Sequence, residues 1–285
     1  MARSGEITKP RRPVGWIAPG PAPAGARGRA DLVPGPDEDL CYLSGDWRLF
    51  QKVRGHRWSL DDLVTAWIAV RSIDPATPIA ALDLGCGLAS VLLLVAWRLP
   101  AAAVTGVEAQ PDRAELGRRS IAYNGVEGRC QILDGDLRDA PALGGPFQLI
   151  TGTPPYFPRG TGTESTKPHA MPCRFELRGG VESYLAAAAR MLAPAGRFVM
   201  CSSAQEQARV TTATREAGLV QREHWQIVPR TGKAALIMVD VLARDSSPGE
   251  PMRSETLIVR DAQGAWTPAF QQVRADLGMP TRPPG

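Results

Sequence analysis

Paired cysteines, histidine clusters and long apolar runs are missing from this chain. The five cysteines, Cys41, Cys86, Cys130, Cys173 and Cys201, are odd in number and none falls in a C-x-x-C spacing. That argues against a disulfide framework or a zinc site and for reduced thiols of the cytosolic kind. Of the three histidines, His169 and His224 have no metal-ligand partners in sequence, so no metal is expected. The most apolar stretch, Leu88 to Trp97, is about half the length a membrane span requires. The N-terminus is basic but has no apolar run behind its charges, so no secretory signal is read. Aromatic residues make up 6% of the chain, and the seven tryptophans are scattered as packing residues would be. These absences predict a soluble, cytoplasmic protein with no membrane partner.

The 285 residues are 44% hydrophobic and 22% charged, which suits a large globular domain with appendages. The net charge of +4 is uneven. Arg3, Lys9, Arg11, Arg12, Arg27 and Arg29 face only Glu6 in the first 30 residues, so about +5 sits there. Residues 1–36 are rich in Pro, Gly, Ala and Arg without a helix or strand period. Such a segment buries too little apolar surface to offset its ordering entropy. A disordered basic arm is predicted, able to meet RNA phosphates in a salt-dependent way. Residues 37–77 are read as a small N-terminal cap and 78–285 as the main domain.

From residue 78 the chain alternates. Strands are predicted over 79–84, 103–107, 130–133, 147–151, 197–202, 223–228 and 234–242. Helices are predicted over 89–99, 111–123, 181–192 and 204–217. The second helix opens on Pro111 and is stopped by Asn124-Gly125. Apolar strands alternating with helices of this length imply an α/β fold, a Rossmann-like, mostly parallel sheet of seven strands with helices on both faces.

Three polar sites fall at successive strand ends. The first strand runs into Asp83-Leu84-Gly85-Cys86-Gly87, a turn whose glycines let a ligand approach the backbone at a helix N-terminus. Glu108 ends the second strand, about twenty residues on, where a carboxylate can accept both hydroxyls of a ribose. Asp136 and Leu137 follow the third strand. Such sites converge on the crevice where open α/β sheets bind ligands. NAD and S-adenosylmethionine both fit. Asp83, two residues before the first glycine, is placed to reach a sulfonium, and Ser90 stands where the dinucleotide fingerprint wants Gly or Ala; neither point decides between them.

The fourth strand ends in Thr153-Pro154-Pro155-Tyr156-Phe157. Asp83-x-Gly85-x-Gly87 resembles motif I of the class I S-adenosylmethionine-dependent methyltransferases. Thr153-Pro154-Pro155-Tyr156 resembles their (Asn/Asp/Ser)-Pro-Pro-(Tyr/Phe) motif, which marks enzymes that methylate planar amino groups. From about residue 45 onward, including Gln51 to Asp62, the chain is similar to the bacterial family of valine-tRNA adenine-N6 methyltransferases. The resemblance implies S-adenosyl-L-methionine as cofactor, tRNA or another RNA as partner, and methyl transfer to adenine N6. It also implies roles. Two acceptors at the first two motif positions hold the amine and expose its lone pair. The prolines fix φ and aim the Pro154 carbonyl. Tyr156 stacks on the ring, worth roughly 1–3 kcal/mol per base. Catalysis is then positioning without a strong base. Thr153 departs from the family's Asn, offering a hydroxyl in place of a carbonyl.

Thr153, Pro154 and Tyr156 are thus the candidate catalytic residues. Asp83, Gly85, Gly87, Glu108, Asp136 and Leu137 are the candidate cofactor residues. Phe157, the loop cations Lys167 and Arg174, and His56 at the pocket edge are candidate substrate contacts, since a long irregular loop beside a site usually covers substrate. A protein-glutamine N5 methyltransferase shares the tetrapeptide. A nicotinamide oxidoreductase or a non-catalytic cofactor-binding module are the rivals from other classes.

Overall fold

The structure is a computed structural model that describes residues 12–55, 57–71, 73–139, 144–156, 179–245 and 251–281. Strands β3 (Ala80–Leu84), β4 (Ala103–Glu108), β5 (Cys130–Asp134), β6 (Phe147–Gly152) and β7 (Leu192–Ser203) lie where apolar runs predict them. They pair in parallel in the order β5-β4-β3-β6-β7. From β3 the chain moves outward on one side through β4 and β5, then returns to β6 on the other side. That reversal opens a crevice at the C-terminal ends of β3 and β6, the place where such sheets take ligands. Beyond β7 the sheet continues through β9 (Ile237–Arg244), antiparallel to both its neighbours, and β8 (Leu219–Val228).

Among the described residues the sheet has eight strands where seven are expected. β10 (Arg253–Ile258) adds a parallel edge beside β8. Its sequence, RSETLI, is exposed over its first four residues, as an edge strand tolerates, and so it carries no apolar run to betray it.

Helices α2 (Ser90–Arg98), α3 (Pro111–Asn124), α4 (Val181–Met191) and α5 (Gln207–Glu216) connect the strands, and α6 (Pro268–Asp276) follows β10. α3 begins with proline in its first turn and closes on Gly125 at φ 73°, in the left-handed region that glycine enters without a Cβ penalty.

The segment before β3 does not stand apart as a cap. β1 (Glu38–Tyr42) and β2 (Arg48–Lys52) form an antiparallel hairpin. α3 holds it by buried polar side chains: Ser120 Oγ accepts the Phe50 N–H at 2.9 Å, and Asn124 bonds both the N–H and the carbonyl of Arg48. α1 (Leu60–Val70) follows. Leu49, Phe50, Leu63 and Val64 share one core with Leu92 and Val199 of the main domain.

Of residues 1–36, where disorder is expected, residues 1–11 lie outside the described residues and residues 12–36 make specific contacts with the domain. Leu32 is buried, Gly25 N donates to Tyr123 O at 2.9 Å, and Arg119 of α3 donates to the carbonyls of Asp31 and Val33. The same guanidinium bonds both carboxylate oxygens of Glu38 and lies 4.2 Å over the Phe50 ring. The segment is thus fixed by main-chain hydrogen bonds and arginine contacts, which leave no apolar periodicity in sequence.

Among the described residues no helix is long and apolar enough to cross a membrane. Cys41, Cys86, Cys130 and Cys201 are buried free thiols; burial pushes Cys41 and Cys130 up to about 11, far from reactive thiolates.

Candidate functional site

The parallel register of β3 and β6 sets Asp83 beside Thr151. Thr151 Oγ1 donates to Asp83 Oδ1 at 2.8 Å, and the Leu92 N–H donates to Asp83 Oδ2 at 3.2 Å. Asp83 therefore caps α2 from the preceding strand. The N-cap position itself is Ala89, at φ 67° and without a capping side chain. Both Asp83 oxygens accept a hydrogen bond and the residue is 3% exposed, so it organises the turn from beneath. Burial, opposed by the Thr151 hydrogen bond and reinforced by Asp62, pushes its carboxyl up to about 7.

Gly85 and Gly87 sit at φ 61° and 56°. A Cβ on Gly85 would collide with the Tyr184 hydroxyl, and one on Gly87 with the Arg113 guanidinium. Both glycines are needed for their dihedrals and for close approach. Glu108, 6% exposed, accepts the Gly87 N–H at 2.8 Å through Oε2 and the Gln110 N–H at 2.8 Å through Oε1. A carboxylate has about four lone-pair sites, so each oxygen keeps one for a further donor. Asp136 lies two residues past β5, half-buried, with its carboxylate paired to Arg138 at 2.6 Å. Leu137 beside it is buried.

This turn fits the nucleoside cofactor that its motif implies. Its floor is bare of Cβ atoms, and Glu108 retains acceptor capacity at the end of β4. The room directly above the glycines is held by Tyr184 and Arg113, which must yield to any ligand resting there.

The tetrapeptide leaves β6 next to this turn. Pro154 is buried and Thr153 half-buried. Tyr156 is fixed by its hydroxyl, which donates to Asp61 Oδ2 at 2.8 Å and lies 3.4 Å from Cys201 Sγ. Burial, with Cys201 and Asp61 adding to it, raises the phenol well above its ordinary range, so it is a neutral donor. His56, Phe157, Lys167 and Arg174 lie outside the described residues.

Four residues without an assigned role in the sequence complete the site. Asp61 and Asp62 open α1. Asp62 accepts the Ser59 N–H at 2.8 Å and the Ser90 hydroxyl at 2.7 Å, which joins α1 to the first residue of α2. Burial, then the neighbouring Asp61, pushes the Asp62 carboxyl up to about 7. The S-x-x-D capping pattern at Ser59 is visible in sequence, but its link to Ser90 is not. Thr151 is the partner of Asp83. Tyr184, on α4, packs over both Gly85 and Gly152, where a Cβ on Gly152 would lie 2.8 Å from its ring. It bridges the turn and the strand that carries the tetrapeptide; within an alanine-rich helix, nothing in sequence marks its direction.

His224 has a partner that the sequence hid. Its Nδ1 lies 2.7 Å from Asp240 across β8 and β9, which raises the imidazole above its ordinary value. It is a sheet residue, away from the crevice-forming strand ends.

Residues 81–158 match a family model described as a methyltransferase domain. The chain is similar to a release factor glutamine methyltransferase of Chlorobaculum tepidum, 34% identical over 94 residues, which span 32% of each chain. This chain therefore aligns with about a third of that relative's length. It is also similar to a tRNA1(Val) (adenine(37)-N6)-methyltransferase of Porphyromonas gingivalis, 26% identical over 73% of this chain and 82% of that one. In fold it is similar to the crystal structure of a predicted O-methyltransferase of Agrobacterium tumefaciens, with TM-score 0.58, 22% identity, and coverage of 78% of this chain and 98% of that one. The glycine turn, Glu108 and strands β3 to β6 thus lie within the segment that matches the methyltransferase domain model.

Proposed function

We propose that the protein transfers the methyl group of S-adenosylmethionine to a planar amino nitrogen, adenine N6 in tRNA. The observation that carries this is the position of Thr153-Pro154-Pro155-Tyr156. It leaves β6 at the switch crevice, beside the glycine turn, and its tyrosine is pinned by Asp61 at 2.8 Å. The likeness to the tRNA adenine-N6 methyltransferase over 73% of the chain supports the choice of target.

The proposed roles follow from chemistry. An exocyclic amine is a weak nucleophile because its lone pair is delocalised into the ring. The Thr153 hydroxyl and the Pro154 carbonyl accept its two N–H groups and localise that lone pair. Tyr156 offers its ring face, since its hydroxyl is already used. Gly85 and Gly87 give the cofactor a backbone floor, and Glu108 accepts its ribose hydroxyls. Asp83 and Thr151 hold the turn in shape, and Leu137 lines its apolar side. The bound cofactor supplies an electrophilic methyl, so the chain supplies positioning and no strong base.

A second reading, methylation of a glutamine amide in a protein, is favoured by the 34% identity to the release factor enzyme over 94 residues. The two are separated by a labelled-methyl assay on total tRNA against protein extract. Label in tRNA supports the proposal, and label in protein alone overturns it in favour of glutamine.

A further inference from the structure

Away from the cofactor turn, the hairpin, the arm and the C-terminal segment enclose a cavity of about 400 Å³. Three guanidinium groups, Arg12, Arg57 and Arg274, line it, and among the described residues no carboxylate does. Two of these cations have acids behind them: Arg57 pairs with Asp39 at 2.7 Å, and Arg12 with Asp46 at 3.6 Å. Arg274 has none among the described residues. Its Nε donates to the Pro280 carbonyl at 2.8 Å, and its guanidinium lies 4.0 Å over the Trp266 ring. Burial first, and the cation Arg260 after it, pull it down to about 10. A guanidinium fixed on an aromatic shelf, largely desolvated and without a counter-charge, is a fork presented to an oxyanion.

A second group points to a ligand with both charge and polarity. Gln51 lines the same cavity and is 1% exposed. Its Nε2 donates to Asp39 at 3.3 Å, which fixes the amide, and its carbonyl oxygen has no partner among the described residues. A buried acceptor left unpaired costs roughly 1–3 kcal/mol, so it calls for an N–H or O–H donor. The volume exceeds that of a bare phosphate and lies within the range of small-molecule sites.

We propose that this cavity is a nucleotide-binding site, separate from the cofactor turn, in which Arg274 takes the phosphate and Gln51 accepts an N–H or hydroxyl of the base or sugar. An apolar ligand would leave the cation desolvated, and a cationic one would be repelled by Arg274, whose charge no carboxylate offsets among the described residues. A nucleotide can come from RNA, as a residue distant from the one methylated, or from the free pool. The site stands whichever substrate the crevice methylates.

The test uses the full chain saturated with S-adenosylhomocysteine, so that the cofactor turn is filled. Calorimetric titration with adenosine 5′-monophosphate is compared with adenosine, which lacks the phosphate. The monophosphate should bind one-to-one and about tenfold or more tighter than adenosine. Arg274→Gln should remove that preference, with affinity for S-adenosylhomocysteine unchanged. A short RNA oligonucleotide that displaces the monophosphate assigns the site to RNA; coexistence of the two assigns it to free nucleotides. Should adenosine and its monophosphate bind the unmodified protein alike, or neither bind, with oligonucleotide affinity the same in Arg274→Gln, the proposal is wrong. If Arg274→Gln fails to fold, Arg274→Lys keeps the charge but loses the fork, and the comparison on the unmodified protein needs no variant.

Discussion

Tyr156 of the tetrapeptide donates its hydroxyl to Asp61 of α1 at 2.8 Å, across 95 residues of sequence. The contact ties the end of β6 to the helix that also reaches Ser90 through Asp62. If this bond orients the tyrosine ring, Tyr156→Phe and Asp61→Ala, which leaves no acceptor, should each slow methyl transfer by about five- to tenfold, the worth of one hydrogen bond in the barrier. The double variant should be no slower than either alone, because both remove the same bond. Single-turnover rates with S-adenosylhomocysteine affinity as control check this; additive losses would show that the two act independently.

Glu108 already accepts the Gly87 and Gln110 N–H groups at 2.8 Å each. Glu108→Gln keeps one acceptor oxygen but places a second donor group against those N–H groups, whereas Glu108→Ala removes both acceptors. Binding of S-adenosylhomocysteine should weaken by roughly 1.5–3 kcal/mol in Glu108→Ala, and titration calorimetry measures it. Unchanged affinity would remove Glu108 from the cofactor site.

Asp83 and Asp62 are both pushed up to about 7 from an ordinary 3.8, first by burial. Between those values the folded state keeps protons that the unfolded chain has released, so these two groups make stability fall as pH rises from about 4 to about 7. Above about 7 their contribution is constant. Denaturant melts of the parent and of Asp83→Asn across this range isolate the term. The stability difference between the two should shift in favour of the variant as pH rises and then level off. A pH-independent difference would mean that Asp83 is ionised throughout.

Residues 12–36 bury Leu32 and meet α3 through Arg119. Burial of one leucine contributes about 1.5–3 kcal/mol. A chain lacking residues 1–36 should therefore melt roughly 3–12 °C lower, given a shift of about 2–4 °C per kcal/mol for a domain of this size. A melting temperature equal to the parent's would return this segment to the status of a tail.

The strands nearest the crevice were legible because parallel strands buried on both faces read as nearly continuous apolar runs: Ala81, Leu82 and Leu84 around Asp83 in β3, Leu149 and Ile150 after Gln148 in β6. Pro111 and Gly125 likewise bracket α3 by local backbone chemistry. The hairpin is different. Its docking depends on Ser120 and Asn124, two polar residues of a distant helix, and no pattern in β1 or β2 announces them. The 12–36 segment reads as unfoldable by composition because its ordering comes from main-chain hydrogen bonds and arginine. In the site, the glycine turn, Glu108 and the tetrapeptide are marked by residue type at strand ends. Asp61, Thr151 and Tyr184 are brought in by register and helix packing, which no spacing in the chain encodes.

The central claim is that Thr153 and Pro154 hold a planar amine while Tyr156 stacks on it. It is tested most directly by methyl-transfer rates of Thr153 and Tyr156 variants on an adenine-containing tRNA. Thr153→Asn should hold or raise the rate. Thr153→Val, which keeps the shape without the hydroxyl, should lower it about five-fold, for roughly 1 kcal/mol of barrier. Tyr156→Ala should cost more, since it removes a surface worth roughly 1–3 kcal/mol per base. Cofactor affinity should change little in all three. A Thr153→Asn variant that loses turnover while Thr153→Val keeps it would contradict the account, because no amine would then be held between two acceptors.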